Sequence, residues 1–202
     1  MVLLSHPYLQ STGRLRAGVT QAGQVFSAGY LRLAAVAVMV TLACPAEADD
    51  PPAVNAKQVA GLFMQSCLAF AGDKTGLRDW AKKTGLQELP ANVQERFLYG
   101  LPGVVFDASN KDGKFVLLSE DGGSCSVVAE TASGPGVIAD LEQDLNEAKI
   151  TFKVTAEKSD AEEKSLRHRE YLASQGQQQW LLLVSTVKDP AGGQAMLTAN
   201  RY

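Results

Sequence analysis

Two side chains that could do acid–base chemistry lie in the segment 167–171, which reads Arg-His-Arg-Glu-Tyr. On a β-strand alternate residues point to the same face, so His168 and Glu170 would lie side by side. A histidine beside a carboxylate can act as a general base, which makes this pair a candidate hydrolase site. A hydrolase of this kind also needs a nucleophile, and the chain lacks the G-x-S-x-G turn that presents a catalytic serine. We favour the simpler interpretation, a half-exposed strand with charge pairs to its neighbour.

Other residues could bind ligands without catalysis. Trp80 and Trp180 could line a ligand cleft, although single tryptophans more often lie in the core or at its rim. The segment 133–136, Ser-Gly-Pro-Gly, precedes a helical pattern whose N-terminus could bind an anion. The segment 122–125 could be read as a glycine-rich phosphate loop, but it lacks a following helix and lysine, so a hairpin turn is favoured. Acidic residues at 157–163 could coordinate calcium, but the EF-hand spacing is missing. We therefore predict no metal site and no cofactor.

The segment 31–52 determines where the protein is expected to work. Its apolar run Leu33–Ala43 has 11 residues, whereas a membrane-spanning helix needs about 20. The run fits the core of a signal peptide, and the Ala-Glu-Ala sequence that ends at Ala48 fits a cleavage site, so residues 1–48 would be removed. The alternative is lipid attachment at Cys44. It is less favoured because leucine lies one place too near the cysteine for the usual pattern.

Removal of this extension would leave 154 residues. We expect a flexible leader over residues 49–54 and a single α+β domain over residues 55–202, long enough to bury a core. The removed part holds three of the 19 basic residues and one of the 22 acidic ones, so the remainder carries a net charge of −5. This charge argues against nucleic-acid binding, which needs a basic surface.

Cys67 and Cys125 would be the two cysteines of the exported chain. An even number of cysteines in an oxidising compartment indicates a disulfide. It would close a loop of about 59 residues, for which the chain-entropy model gives roughly 4 kcal/mol. A zinc site is disfavoured because two cysteines and the one remaining histidine, His168, are too few for a structural zinc set. A thiol nucleophile would need a neighbouring base.

Hydrophobic periodicity predicts three helices, three strands, one helix and four strands, in that order. The predicted helices cover about 55–70, 75–84, a segment after Pro90, and a segment after residue 136. The predicted strands cover about 104–106, 114–119, 124–130, 150–157, 164–173, 177–188 and 195–199. Short loops favour antiparallel neighbours. The expected fold is therefore α+β, with N-terminal helices packed on one face of a mostly antiparallel sheet of about six or seven strands, and one helix inserted between strands.

A likeness to known proteins rests on the cysteine of the first helix, Cys67, and on the later strand Gly123-Ser124-Cys125-Ser126-Val127. This pattern resembles a group of uncharacterised proteobacterial exported proteins and lipoproteins. In that group a Gly-x-Cys-x-Val strand follows the helix cysteine after about 60 residues. The resemblance implies periplasmic residence and paired cysteines. It implies no activity, and this chain departs from the lipoprotein members in the sequence before Cys44.

Together these features predict a periplasmic protein that acts as a non-catalytic binding or protein-interaction module, with an inhibitor or immunity protein as one form. The alternative is a cell-envelope hydrolase that uses His168 and Glu170. These two residues, with Trp80 and Trp180, are the candidate contacts to a ligand or partner. We expect a periplasmic protein partner, no nucleic acid and no transmembrane segment in the mature chain. An outer-membrane lipoprotein anchored through Cys44 is the alternative location.

Overall fold

A computed structural model describes residues 50–160, 165–189 and 192–202, which belong to one compact unit. The chain forms α1 (Pro51–Phe63), α2 (Lys74–Lys83), β1 (Gln87–Glu88), α3 (Ala91–Leu98), β2 (Gly103–Asp107), β3 (Phe115–Glu120), β4 (Cys125–Ala132), α4 (Gly134–Glu147), β5 (Thr151–Ser159), β6 (Leu166–Gln175), β7 (Gln178–Val187) and β8 (Gly193–Arg201), in that order. The predicted signal peptide and Cys44 lie outside the described residues. Within the described residues, no helix is long and apolar enough to cross a membrane.

The strands form one eight-stranded sheet in the order β1-β2-β3-β4-β8-β7-β6-β5. Each neighbouring pair is antiparallel. The predicted α+β class, the antiparallel pairing and the inserted helix, α4, are confirmed. The predicted number of six or seven strands is wrong, because β1 adds an eighth. It consists of Gln87 and Glu88 alone, opposite Asp107 and Phe106, and two residues are too few to show an alternating pattern.

The main core lies between the sheet and three helices, α1, α2 and α4. Phe63 of α1 and Leu141 of α4 are buried against Leu117, Leu182 and Leu197 from the middle of the sheet. We call this side of the sheet the helix face. Alternate residues of the same strands point away from it and make up the opposite face.

The helix α3 lies on the opposite face, so the prediction that the helices share one face is wrong for this element. Its Leu98 packs in a separate cluster with Val105, Leu118 and Val128. The physical reason is that β2, β3 and β4 carry apolar residues at successive positions and therefore on both of their faces. The second apolar face also needs a cover, and α3 provides it at one end of the sheet.

The first helix begins at Pro51, not near residue 55, so residues 51–54 of the predicted leader are helical. Proline suits the first turn of a helix because its fixed φ is helical and its missing N–H would be unpaired there. The helix continues into a π-helical turn, Met64–Leu68. This turn carries Cys67, whose side chain is buried in the core.

The inserted helix α4 carries the chain from β4, in the middle of the sheet, to β5 at its far edge. Its buried side chains Val137, Leu141 and Leu145 follow the helical spacing expected from the sequence. β5 is more exposed than its alternating pattern predicted, and Val154 is 41% exposed. An edge strand has a neighbour on one side alone, which leaves its outer side chains open to water.

Candidate functional site

An open cleft lies on the helix face, where α4 begins beside the ends of β5, β6 and β7. Its volume is about 840 Å³. The strands contribute Glu157, Arg167, Arg169, Thr186 and other residues. Lys188 follows directly after β7, and α4 contributes Gly134, Pro135 and Ile138. Cationic side chains converge here, so we call it the cationic cleft. None of its lining residues was among the four candidate contacts His168, Glu170, Trp80 and Trp180, although Gly134 and Pro135 belong to the segment considered as an anion site.

The strand register explains why two arginines enter this cleft. Arg167 lies opposite Thr186 and Arg169 lies opposite Val184, and Val184 is buried in the main core. Both arginines therefore point to the helix face, while His168 between them points to the opposite face. The sequence pattern already predicted this alternation.

Arg169 is fixed by two carboxylates and an aromatic ring. Its Nη2 lies 3.0 Å from Glu142 Oε1 and its Nη1 lies 3.0 Å from Glu157 Oε2. The guanidinium also sits over the ring of Tyr171, 5.6 Å from the centroid. Three such partners restrict the rotamers of a long side chain. Arg169 is therefore held in place before any ligand arrives.

Tyr171 extends this network into the core. Its hydroxyl donates a hydrogen bond to Glu142 Oε1 at 3.0 Å, and the residue is fully buried. Burial, reinforced by the neighbouring Glu142 carboxylate, raises the pKa of Tyr171 well above its usual value. The phenol therefore stays neutral and acts as a hydrogen-bond donor.

Two further cations at the cleft have no carboxylate partner among the described residues. The Arg167 guanidinium donates to Ser159 Oγ, a neutral hydroxyl, and the residue is exposed. The Lys188 side chain is also exposed. Both side chains are exposed beside the cleft, where an incoming ligand could contact them.

At the segment 133–136, which the sequence suggested as an anion site, backbone amides are already hydrogen-bonded within the chain. The Ser133 hydroxyl accepts a hydrogen bond from the Gly136 amide at 3.3 Å, and the Ser133 carbonyl accepts one from the Val137 amide at 2.8 Å. Pro135 has no amide hydrogen to offer. These amides at the start of α4 therefore already have acceptors within the chain. An anion at this position would be attracted mainly by the helix dipole and not by unpaired N–H groups.

The two residues of the alternative catalytic pair, His168 and Glu170, have their partners on neighbouring strands and the adjoining loop. His168 Nδ1 lies 2.9 Å from Ser185 Oγ, and His168 Nε2 lies 3.8 Å from Asp160 Oδ2. Glu170 instead pairs with Lys158 at 3.3 Å. The cross-strand register decides this, because His168 lies directly opposite Ser185. The result is a row of Asp160, His168 and Ser185 that has the order of a catalytic triad.

This row is poorly suited to catalysis because its serine is closed off. Ser185 is 2% exposed, so a substrate carbonyl could not reach its hydroxyl. A hydrogen bond to histidine is also the ordinary way to satisfy a buried hydroxyl. The arrangement therefore fits a structural role on the opposite face of the sheet.

The two tryptophans do not line the cleft. Trp180 is 5% exposed and belongs to the main core. Trp80 is partly buried on α2, where its ring lies 6.1 Å from that of Phe70. Both positions match the alternative of core or rim residues.

Cys67 and Cys125 lie at disulfide distance, with their Cα atoms 5.1 Å apart. Both are buried, and they connect the π-helical turn after α1 to the first residue of β4.

Gly122 and Gly123 form the turn between β3 and β4, and the backbone of Gly123 has a φ of 91°. This position therefore matches the hairpin turn and not the phosphate loop.

Among the described residues, no group of three or more histidine, cysteine or acidic side chains could hold a metal ion. Part of the predicted acidic loop, residues 161–164, lies outside the described residues.

Comparisons with protein-family models, curated proteins and solved structures find no match to this chain. The function must therefore be argued from the geometry of the site.

Proposed function

We propose that this protein is a non-catalytic binding module of the bacterial periplasm, and that its ligand occupies the cationic cleft. The observation that carries the proposal is the cleft itself, with a volume of about 840 Å³ and cations that converge on it. Ligand sites are usually concave, with volumes of about 300–1,000 Å³ and a few placed polar groups. The cleft has this form, and Arg169 is already oriented in it.

The periplasmic part of the proposal has separate support. The signal-peptide pattern in residues 1–48 and the resemblance to exported proteins both favour export. Cysteines at disulfide distance, such as Cys67 and Cys125, are typical of proteins in an oxidising compartment. A buried pair of this kind supports a folded module that persists outside the cytoplasm.

Site-specific photocrosslinking in the native host tests the proposal. A photoreactive amino acid replaces Ser159, an exposed neutral residue in the wall of the cleft, and in a control it replaces Lys83, an exposed residue at the end of α2. We expect an adduct, seen as added mass on the chain, at position 159 and not at position 83. Equal adducts at both positions, or none at 159, would contradict a ligand in the cleft.

A hydrolase is the second candidate, because Asp160, His168 and Ser185 are aligned. A fluorophosphonate probe, which phosphonylates activated serines, separates the two functions. We expect no label on Ser185, since its hydroxyl is buried. Labelling of Ser185 that disappears in the His168→Ala variant would favour the hydrolase.

A further inference from the structure

Resting on the proposed function, we infer that the cationic cleft binds an amphiphilic organic anion: a molecule with one carboxylate or phosphate group and an apolar body. The charged end would lie against Arg167 and Lys188. The apolar end would lie against the apolar side chains of α4 that line the same cleft. The two ends of the ligand follow from different residues, and each can be tested by itself.

The oxyanion end follows from the arginines. A guanidinium offers a planar fork of donors that matches carboxylate and phosphate oxygens. The terminal nitrogens of Arg169 are paired with the carboxylates of Glu142 and Glu157. We therefore expect Arg169 to form part of the wall of the cleft and not to bind the anion. Arg167 is bound to the neutral Ser159 alone among the described residues. Within that part of the chain, a ligand that binds Arg167 would displace a neutral hydroxyl and not a carboxylate.

The acidic residues in the wall limit the ligand to one carboxylate or phosphate group. Glu157 and Asp189 also line the cleft, and a second anionic group on the ligand would be repelled by them. Arg167 and Lys188 lie at the ends of neighbouring strands and can serve one anion together. A single charged group fits this mixed wall better than a polyanion does.

The apolar end follows from Pro135 and Ile138 of α4, which line the cleft together with the cations. Ile138 also packs against the main core, so this part of the wall is held firmly. Removing such surface from water favours binding in proportion to the apolar area covered. A bare inorganic ion could not use this part of the cleft.

Calorimetric titration of the full chain, purified from its host, tests the inference with four probes: octyl phosphate, octanoate, inorganic phosphate and octanol. We expect octyl phosphate or octanoate to bind with a Kd below ~1 mM, and about tenfold tighter than inorganic phosphate or octanol. The stronger of the two amphiphiles identifies the head group as phosphate or carboxylate. Equal binding of octanol, or of inorganic phosphate, would overturn the amphiphilic anion.

Charge-reversal variants locate the binding. Arg167→Glu and Lys188→Glu should each weaken the better probe by about tenfold, and Arg96→Glu should leave it unchanged. Arg96 is an exposed arginine on α3, on the opposite face of the sheet, and it makes a matched control. Unfolding curves check that the variants fold. Wild-type affinity in both cleft variants would overturn the inference.

The photocrosslinking result separates this inference from the proposed function. An adduct at position 159 with no binding of either amphiphile would overturn the ligand class and leave the binding module standing. No adduct and no binding would overturn both.

Discussion

At the scale of single residues, Tyr171, Glu142 and Arg169 form a polar network that reaches from the cleft to a fully buried hydroxyl. The Glu142 carboxylate accepts from the tyrosine hydroxyl and also pairs with the guanidinium. A buried hydroxyl is costly when it lacks a partner. The network therefore stabilises the fold and at the same time fixes one wall of the cationic cleft.

Replacing Tyr171 by phenylalanine should lower the free energy of unfolding by about 1 kcal/mol, because one buried hydrogen bond is lost while the ring remains. Urea unfolding measures the change. Tyr202→Phe is the matched control, since Tyr202 is 79% exposed, and it should have no effect. Equal stability of wild type and Tyr171→Phe would show that the hydrogen bond contributes nothing.

The same tyrosine predicts how stability depends on alkaline pH. Burial raises the pKa of Tyr171 in the folded chain, whereas the unfolded chain ionises this group near pH 10. The contribution of the neutral phenol is therefore complete below about pH 10 and is lost as the pH rises further. Denaturant unfolding across this range should show a decline that is smaller in Tyr171→Phe. A decline of the same size in both proteins would assign it to other groups.

How much of the site is visible in the sequence can be judged residue by residue. Alternation on a strand correctly placed Arg167, Arg169 and Tyr171 on one face. It could not supply Glu142, because that residue comes from a helix whose position over the sheet is a tertiary property. It also paired His168 with Glu170, its neighbour along the strand, whereas the cross-strand partner depends on a register that no local pattern determines.

At the scale of elements, the start of α4 positions the cleft. Ser133 caps this helix through the amide of Gly136. Ser133→Ala should therefore lower the free energy of unfolding by about 1 kcal/mol, measured by urea unfolding. Ser133→Asp should retain most of the stability, because aspartate is also a good cap. A loss of the same size in both variants would attribute the effect to packing and not to capping.

The cysteine pair attaches the end of the first helix to β4. We expect no free thiol when the unreduced protein is unfolded and titrated. Replacing both Cys67 and Cys125 by alanine should cost about 2–5 kcal/mol of stability, measured as the shift of the urea midpoint. Two titratable thiols in protein taken from the periplasm would disprove the disulfide.

The positions of some helices and strands were predicted more accurately than those of others, for physical reasons. The long strands β6 and β7 and the helix α4 lie close to their predicted positions, since each has many residues with a clear period. The two-residue strand β1 was missed for lack of length. The prediction of which face of the sheet α3 covers was wrong. An amphipathic stripe shows that a helix packs against the protein, but it does not show against which face of the sheet.

At the scale of the whole molecule, one sheet separates two kinds of surface. The helix face holds the main core and the cationic cleft, and the opposite face holds α3 together with the row Asp160, His168 and Ser185. We assign ligand binding to the first face and a structural role to the second. The two proposed functions therefore predict ligands on opposite sides of the same sheet.

Native mass spectrometry of the tagged chain, purified from the periplasmic fraction of its own host, tests this account most directly. We expect a chain that begins at Asp49, is two hydrogens lighter than its reduced form, and carries additional non-covalent mass. That mass should be absent from Arg167→Glu and present in Arg96→Glu. A wild-type spectrum without added mass, or added mass that Arg167→Glu retains, would contradict the central claim that the cationic cleft is the binding site.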